Sequence, residues 1–200
     1  MSERTAGPVG IALGVVLLGA VAAFAIALPE ATGDGSSGSS ERRAISLPDE
    51  LPHGLTAQDL LDDRVAQQYA DAQASMTEGL EEIYGDPAAV RGYASEDASI
   101  QATVTVLDRA PGLFDPQGPP VAPEVIGLAR SVYELRRIGD AVCNLSWRTP
   151  VPAGQPVEDA DSPDGLQCQQ GAGDRTIELF ASGLTVDQAT DILTRLVQLQ

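Results

Sequence analysis

Two cysteines are the residues whose chemistry is best defined by their surroundings in this sequence. Cys143 precedes Leu145, and Cys168 follows Leu166, in segments where apolar and polar residues alternate. Alternation is typical of a strand with one buried face, so both thiols are expected to point inward. Their spacing excludes a CxxC redox motif. Outside the cytoplasm such a pair oxidises, and we predict a core disulfide, with two free buried thiols as the alternative.

An acidic loop offers a candidate metal site. Residues 158–165 read EDADSPDG, in which Asp159, Asp161 and Asp164 nearly reproduce the D-x-D-x-D-G spacing of a calcium loop. One extra residue displaces the third Asp, no bidentate Glu follows at the right distance, and Pro163 stiffens the turn. A solvated acidic loop is the default interpretation, and calcium at the three carboxylates is the alternative.

The sequence provides poorly for enzymatic catalysis. His53 is the only histidine, lysine is absent, and neither a G-x-S-x-G motif nor a P-loop occurs. The adjacent pairs Asp62-Asp63 and Glu81-Glu82 leave carboxylate catalysis open, but neighbouring residues on a helix point in different directions. No catalytic residue, cofactor-binding residue or cofactor is therefore predicted.

The longest apolar stretch of the chain determines where any such chemistry takes place. Residues 8–28 run from Pro8 to Leu28 without a charged residue. About 20 apolar residues at 1.5 Å rise cover the ~30 Å hydrocarbon core of a bilayer, so we predict a single transmembrane helix. A cleaved signal peptide is the alternative, although signal peptides have shorter apolar cores of about 7–15 residues.

The topology follows from the segments on either side of this helix. A short tail of residues 1–7 and the two cysteines of the large domain favour a cytoplasmic N-terminus and an extracytoplasmic domain at residues 44–200. The positive-inside rule does not decide the orientation, because arginines lie on both sides. Gly10 and Gly14 form a GxxxG pattern, which predicts weak self-association or reflects ordinary membrane composition.

A segment of distinctive composition connects the predicted helix to the domain. Residues 29–43 are rich in Gly and Ser and predict a flexible linker.

The charge of the domain limits its partners. After Arg43 there are 25 acidic residues and nine arginines, a net charge of −16. This charge repels phosphate backbones and anionic lipids, which argues against nucleic-acid binding. The absence of lysine and the abundance of Gly and Ala indicate a high-GC bacterial genome.

A long helix is predicted at residues 57–84, at the start of the domain. Thr56 and Asp59 have capping-box spacing, and Gly85 follows the last turn. The apolar residues repeat with a helical period, and we assign them to the core of the domain; a coiled coil with a partner is the alternative. This predicted stripe consists of Leu61, Val65, Tyr69, Ala72, Met76, Leu80 and Ile83.

Alternating segments then predict an antiparallel sheet. Residues 90–95 and 99–108 form one hairpin, 131–138 and 141–149 a second, and 166–170 with 174–181 a third. For the second hairpin we favour a bulged three-residue loop, which aligns Tyr133 and Leu135 with Cys143. The third turns at residues 171–173.

The chain ends in a second predicted helix. Thr185 and Gln188 have capping-box spacing at its start. Its apolar positions are Ala189, Ile192, Leu193, Leu196 and Val197. The expected fold class is thus α+β: one antiparallel sheet of about four to six strands, flanked by a long N-terminal helix and a C-terminal helix.

Three phrases resemble recurring segments of uncharacterised single-pass membrane-anchored proteins of actinobacteria. They are Leu47-Pro-Asp49 with Leu51-Pro-x-Gly54, Tyr84-Gly-Asp-Pro-Ala-Ala89, and the GLFDPQGP of residues 112–119. The resemblance implies no catalytic residues. We expect an envelope protein whose outer domain binds or scaffolds an envelope protein or a small ligand. A carboxylate-dependent extracytoplasmic hydrolase is the second hypothesis, and a cleaved, secreted soluble domain is the third.

Overall fold

The fold is taken from a computed structural model, in which residues 44–157 and 162–200 are described. Ala44–Gln200 forms one compact unit. The predicted membrane span, its glycine pair and the linker all belong to residues 1–43 and lie outside the described residues. Among the helices that are described, none is long and apolar enough to cross a bilayer.

The described residues of the domain form ten strands and three α-helices. The strands are β1 Glu50–Leu51, β2 Leu55–Ala57, β3 Ala88–Ala94, β4 Gln101–Leu107, β5 Leu128–Arg130, β6 Tyr133–Ile138, β7 Ala141–Ser146, β8 Val151–Pro152, β9 Gly165–Ala172 and β10 Arg175–Ser182. The helices are α1 Gln58–Leu61, α2 Ala66–Tyr84 and α3 Val186–Leu199, with a 3₁₀ turn at Pro123–Ile126.

Eight of the strands form one sheet, in the order β1-β2-β3-β4-β10-β9-β7-β6. All neighbouring pairs are antiparallel. The predicted α+β class and the six predicted strands are confirmed. The predicted strand number was too low, because β1 and β2 have only two and three residues and are too short for an alternating pattern to be recognised. β5 and β8 pair separately.

The side chains of the sheet alternate between an inner face and an outer face. On the inner face, Val104, Ile177 and Leu179 are fully buried. On the outer face, Thr103 is half-buried and its cross-strand neighbour Phe180 is 61% exposed. The hydrophobic core therefore lies on the inner side of the sheet.

Helix α3 covers this inner face. Its capping box is present as predicted: the Thr185 side chain accepts a hydrogen bond from the Gln188 N–H, and the Gln188 side chain accepts one from Thr185. Four of the five predicted apolar positions are buried in the core, and Val197 packs against it. The prediction for this helix is confirmed.

The predicted disulfide is present. Cys143 of β7 and Cys168 of β9 lie directly opposite each other across the strand pair and are bonded. Both are almost completely buried on the inner face. The bond thus joins two hairpins within the core, as the alternation of their strands indicated.

The predicted register of the second hairpin was wrong. Ile138 pairs with Ala141 across a two-residue turn, and Leu135 pairs with Asn144. Gly139 has φ 58°, which suits a tight turn. Leu135 and Tyr133 therefore lie on the outer face and not beside Cys143; Leu135 is half-buried there, and Tyr133 is 47% exposed. In the third hairpin, Ala172 pairs with Arg175, so the turn is at residues 173–174, not 171–173.

The long first helix was also predicted incorrectly. Thr56 pairs with Ala94 as part of β2 and does not cap a helix. The chain forms the short helix α1, breaks at Asp62, and begins again at α2. Asp62 accepts hydrogen bonds from the backbone and the guanidinium of Arg64, which stabilise this break.

The apolar stripe of this region does not enter the core. Within the described residues, none in α2 is buried. Tyr69 is 38% exposed, Met76 45% and Ile83 75%. The physical reason is the position of α2: it lies along the edge of the sheet, which presents backbone polar groups, and not over an apolar face.

Candidate binding surface

The edge of β3 explains the position of α2. β2 pairs with the end of β3, at Tyr93 and Ala94, so among the described strands the first part of β3 has no neighbour on that side. The N–H of Val90 donates to Thr77 Oγ1 at 3.2 Å, and the N–H of Ala88 donates to Glu81 Oε1 at 3.1 Å. Helix α2 thus satisfies an open sheet edge through its polar side chains.

This attachment turns the apolar side of α2 toward solvent. Successive residues of a helix are rotated by about 100°, so Met76 points well away from its neighbour Thr77. Tyr69, Met76 and Ile83 are seven residues apart and share one line along the helix. Ala72 and Gly79 lie beside this line. We name the five residues Tyr69, Ala72, Met76, Gly79 and Ile83 the exposed stripe.

The exposed stripe combines large and small side chains. A Cβ built at Gly79 meets no atom within 4 Å in the described structure. Helices with small residues between large ones allow a second helix to approach closely, with its side chains inserted into the gaps. The stripe has the spacing that a helical partner needs.

The charge around the stripe is negative. Helix α2 contains four acidic residues and no Arg, and no lysine occurs in the chain. The acidic residues are Asp71, Glu78, Glu81 and Glu82. Glu81 is engaged with β3, while the other three lie on the solvent side of the helix.

Arg91 fixes the start of this helical region. Its guanidinium donates to both carboxylate oxygens of Asp59 in α1, at 3.1 and 2.9 Å, and to Asp49 at 2.8 Å. It also donates to the carbonyls of Leu47 and Pro48, each at 3.1 Å. The hydrogen bond from Arg91 lowers the pKa of Asp59, and the same pairing raises the pKa of Arg91.

Further contacts hold the segment before β1 and the C-terminal end of α2. The buried Tyr93 donates its hydroxyl to the Pro48 carbonyl at 2.9 Å, and burial raises the pKa of this phenol. At the other end of α2, Arg109 binds Asp86 at 2.9 Å and lies over the ring of Tyr84. The segment before α2 is therefore held through α1 and residues 47–49, and the C-terminal end of α2 is held by Arg109, while the stripe stays exposed.

The other residues singled out in the sequence lie apart from this surface. Asp164 accepts from the backbone N–H of Arg148 at 2.8 Å and forms an ion pair with its side chain. Asp159 and Asp161 lie outside the described residues, so their calcium site stays a hypothesis. Among the described residues, no group of three His, Cys, Asp or Glu side chains could hold a metal ion.

The histidine and the carboxylate pairs serve local structure. His53 lies 3.2 Å from Asp191 of α3 and connects the β1–β2 turn to this helix. In each adjacent pair of carboxylates, one member has a local partner: Asp62 binds Arg64, and Glu81 binds the edge of β3. The described geometry does not bring the pairs together into one acidic site.

Sequence reasoning missed Arg91. It lies in an alternating strand, and its side chain is only 15% exposed. The signal was a lone arginine at an inward position of β3, since such a residue requires carboxylate partners elsewhere in the chain. The partners themselves could not be identified, because Asp49 and Asp59 lie 42 and 32 residues away.

The fold and this surface define an α+β domain with an antiparallel sheet and an exposed amphipathic helix at the sheet edge. Comparison of the chain with protein-family models, curated proteins and solved structures finds no match in any of the three.

Proposed function

We propose that this chain is a single-pass envelope protein whose extracytoplasmic domain binds a helix of another envelope protein through the exposed stripe of α2. The observation that carries the proposal is the row of Tyr69, Met76 and Ile83, which stays open to solvent along a helix whose other side is hydrogen-bonded to β3. Exposed, aligned apolar side chains of this kind are typical of interaction sites. The proposed activity is binding, without catalysis.

The charge pattern selects the class of partner. Acidic residues flank the stripe, so a partner helix with Arg or Lys beside its apolar residues gains favourable electrostatic contacts. A second copy of this chain brings the same acidic residues into contact, and an anionic lipid surface repels them. A basic amphipathic helix is therefore the occupant that fits.

The location is part of the proposal. The uncharged span 8–28 supports an anchor in the cell membrane, and the linker 29–43 supports a domain held away from the lipid surface. Such a tether raises the effective concentration of the domain near other membrane proteins. Weak binding through one helix is then sufficient for a scaffold.

Two designed peptides test the stripe. Both are helical with leucine at the a and d positions; one carries lysine and the other glutamate at e and g. Binding to the full chain, in nanodiscs of zwitterionic lipid, is measured by fluorescence anisotropy. We expect the basic peptide to bind at least about tenfold more tightly than the acidic one, and Met76→Asp to weaken its binding by about tenfold or more.

Leu113→Asp is the matched control. Leu113 is 93% exposed in a loop, so it introduces the same charge elsewhere on the surface and should leave binding unchanged. Equal binding of both peptides, or unchanged binding by Met76→Asp, contradicts the proposal. Sedimentation that shows a dimer abolished by Met76→Asp also contradicts it, because the occupant is then a second copy.

A further inference from the structure

A cleft lies on the outer face of the sheet, on the opposite side of β7 from the disulfide. It has a volume of about 400 Å³ and is enclosed by residues 115–123, Ile126, and the outer-face side chains of β6 and β7. This volume lies within the range of small-ligand sites, about 300–1,000 Å³. We call it the proline cleft.

The register of β6 and β7 and the path of the preceding loop create the cleft. Leu135 and Asn144 pair across the two strands and share the outer face. The loop that follows β4 is first held against β10 and β9. Thr176 Oγ1 of β10 donates to the Arg109 carbonyl at 2.8 Å, and Pro111 packs so close to Gly171 of β9 that a Cβ there would lie 3.0 Å from its ring. The proline-rich segment then forms the opposite wall.

The walls of the cleft are largely apolar. Four prolines, Pro116, Pro119, Pro120 and Pro123, belong to the lining. Val121 and Ile126, which also line it, are 58% and 55% exposed. Asn144, 7% exposed, and Tyr133 supply polar groups. The body of a ligand that fits these walls is apolar.

The charge of the cleft is negative. Its lining contains Asp115 and Glu134 and no basic residue among those described. Glu134 pairs with Leu145 of the inner face, so Asp115 supplies the carboxylate of the cleft. Glu134 binds Arg136 through two oxygens at 2.8 Å each, so its charge is balanced. Asp115 Oδ1 is buried and has no hydrogen-bond partner among the described residues. The carboxylate of Asp115 therefore has one oxygen without a compensating donor, and a cation in the cleft beside this carboxylate balances its charge.

From these contacts we infer that the proline cleft binds a small organic amine, with its ammonium group toward Asp115 and its apolar body against the prolines, Ile126 and Leu135. This inference is independent of the proposed docking surface on α2, which lies at the other edge of the sheet. A primary ammonium group on an apolar body could come from a free small amine or from a lysine side chain of a partner protein. Both sources have the chemistry that the cleft is expected to recognise.

Three probes of one shape test the inference: cyclohexylmethylamine, cyclohexylmethanol and cyclohexanecarboxylate. Binding to the full chain in nanodiscs is measured by saturation-transfer NMR. We expect the amine to bind at least about tenfold more tightly than either other probe, since it alone is cationic. Preferential binding of Nα-acetyl-lysine methylamide supports the same chemistry and assigns it to a lysine side chain.

Asp115→Asn removes the charge and keeps the shape, and should weaken amine binding by about tenfold or more. Asp174→Asn, in the exposed turn between β9 and β10, is the control and should bind the amine as the original chain does. Unchanged thermal unfolding of both variants shows that the fold is intact. Equal binding of the three probes, no binding of either amine, or full binding by Asp115→Asn overturns the inference.

Discussion

Arg91 joins three separate segments of the chain through one guanidinium group. Its contacts with Asp59, Asp49 and two carbonyls hold α1 and residues 47–49 against β3. A side chain that is only 15% exposed loses most of its hydration, so these contacts must replace water. The local fold around α1 therefore depends on this arginine more than on any capping residue of the helix.

Replacing Arg91 by Met should destabilise the domain by about 3 kcal/mol, because Asp59 then loses its partner and the carbonyls lose a donor. Urea unfolding followed by circular dichroism measures the effect. Arg64→Met is the control: Arg64 is 88% exposed, so this substitution should leave the unfolding midpoint nearly unchanged. Equal midpoints for Arg91→Met and the unmodified chain contradict the role of this cluster.

Asp97 gives the β3–β4 turn a pH dependence. The hydroxyls of Ser95 and Ser99 and the backbone N–H of Ser99 donate to Asp97 Oδ1, which lowers its pKa to about 2. A depressed pKa stabilises the folded state above the unfolded pKa of about 4, and this stabilisation is lost as the pH falls from about 4 to about 2.

Asp97→Asn should accordingly flatten the dependence of the unfolding temperature on pH between about 4 and 2, since the variant has no carboxylate to protonate. Thermal unfolding at a series of pH values in this interval tests it. Asp174→Asn, in the exposed turn of another hairpin, should preserve the slope. If Asp97→Asn unfolds with the same dependence of temperature on pH as the original chain, the β3–β4 turn is not the source of that dependence.

For single residues, the sequence was sufficient to predict contacts that follow from the alternation of buried and exposed positions along one strand. Cys143 and Cys168 each lie beside a leucine at the same phase of a strand, so their inward direction could be inferred one strand at a time. The carboxylate partners of Arg91 could not, because pairing over 32 and 42 residues depends on the path of the whole chain.

The two long helices show how one periodic pattern has two outcomes. Both α2 and α3 carry apolar residues with a helical period, but α3 lies over the inner face of the sheet and α2 along its edge. The pattern predicts an apolar side and not what covers it. The short β2 leaves part of β3 without a neighbouring strand, and this feature, which sequence reasoning missed, decides the position of α2.

Matched substitutions of isoleucine distinguish the two helices. Ile192→Ala in α3 should cost about 2–5 kcal/mol, because a fully buried side chain leaves a cavity. Ile83→Ala in α2 removes the same atoms from a residue that is 75% exposed, and should change stability by less than about 0.5 kcal/mol. Chemical unfolding of both variants provides the measurement, and a similar cost for both places the stripe in the core.

The whole molecule combines an acidic domain with a predicted membrane anchor. The chain has a net charge of −17, and −16 of this belongs to residues 44–200. We expect this charge to keep the domain away from anionic lipids and residues 29–43, predicted from their composition to be a flexible linker, to give it reach. Partner selection in our account then depends on the exposed stripe and not on the membrane surface.

From the proposed anchor we expect the full chain to fractionate with membranes and to resist carbonate extraction, because an uncharged span of about 20 residues is long enough for the hydrocarbon core. Protease added to spheroplasts should remove the domain. A soluble product that begins near Ala25 or Pro29 contradicts the anchor, and full protection of the domain reverses the topology.

Photo-crosslinking at position 76 tests the central claim most directly. A photoreactive phenylalanine analogue replaces Met76 in the full chain, which is expressed in its own host, and intact cells are irradiated. Our account predicts one discrete product that contains a second protein with a basic amphipathic helix, and its loss when Tyr69 and Ile83 are changed to Asp. The same analogue at Leu113 should not form it. Products that contain only lipid or a second copy of this chain, or no product, contradict the account.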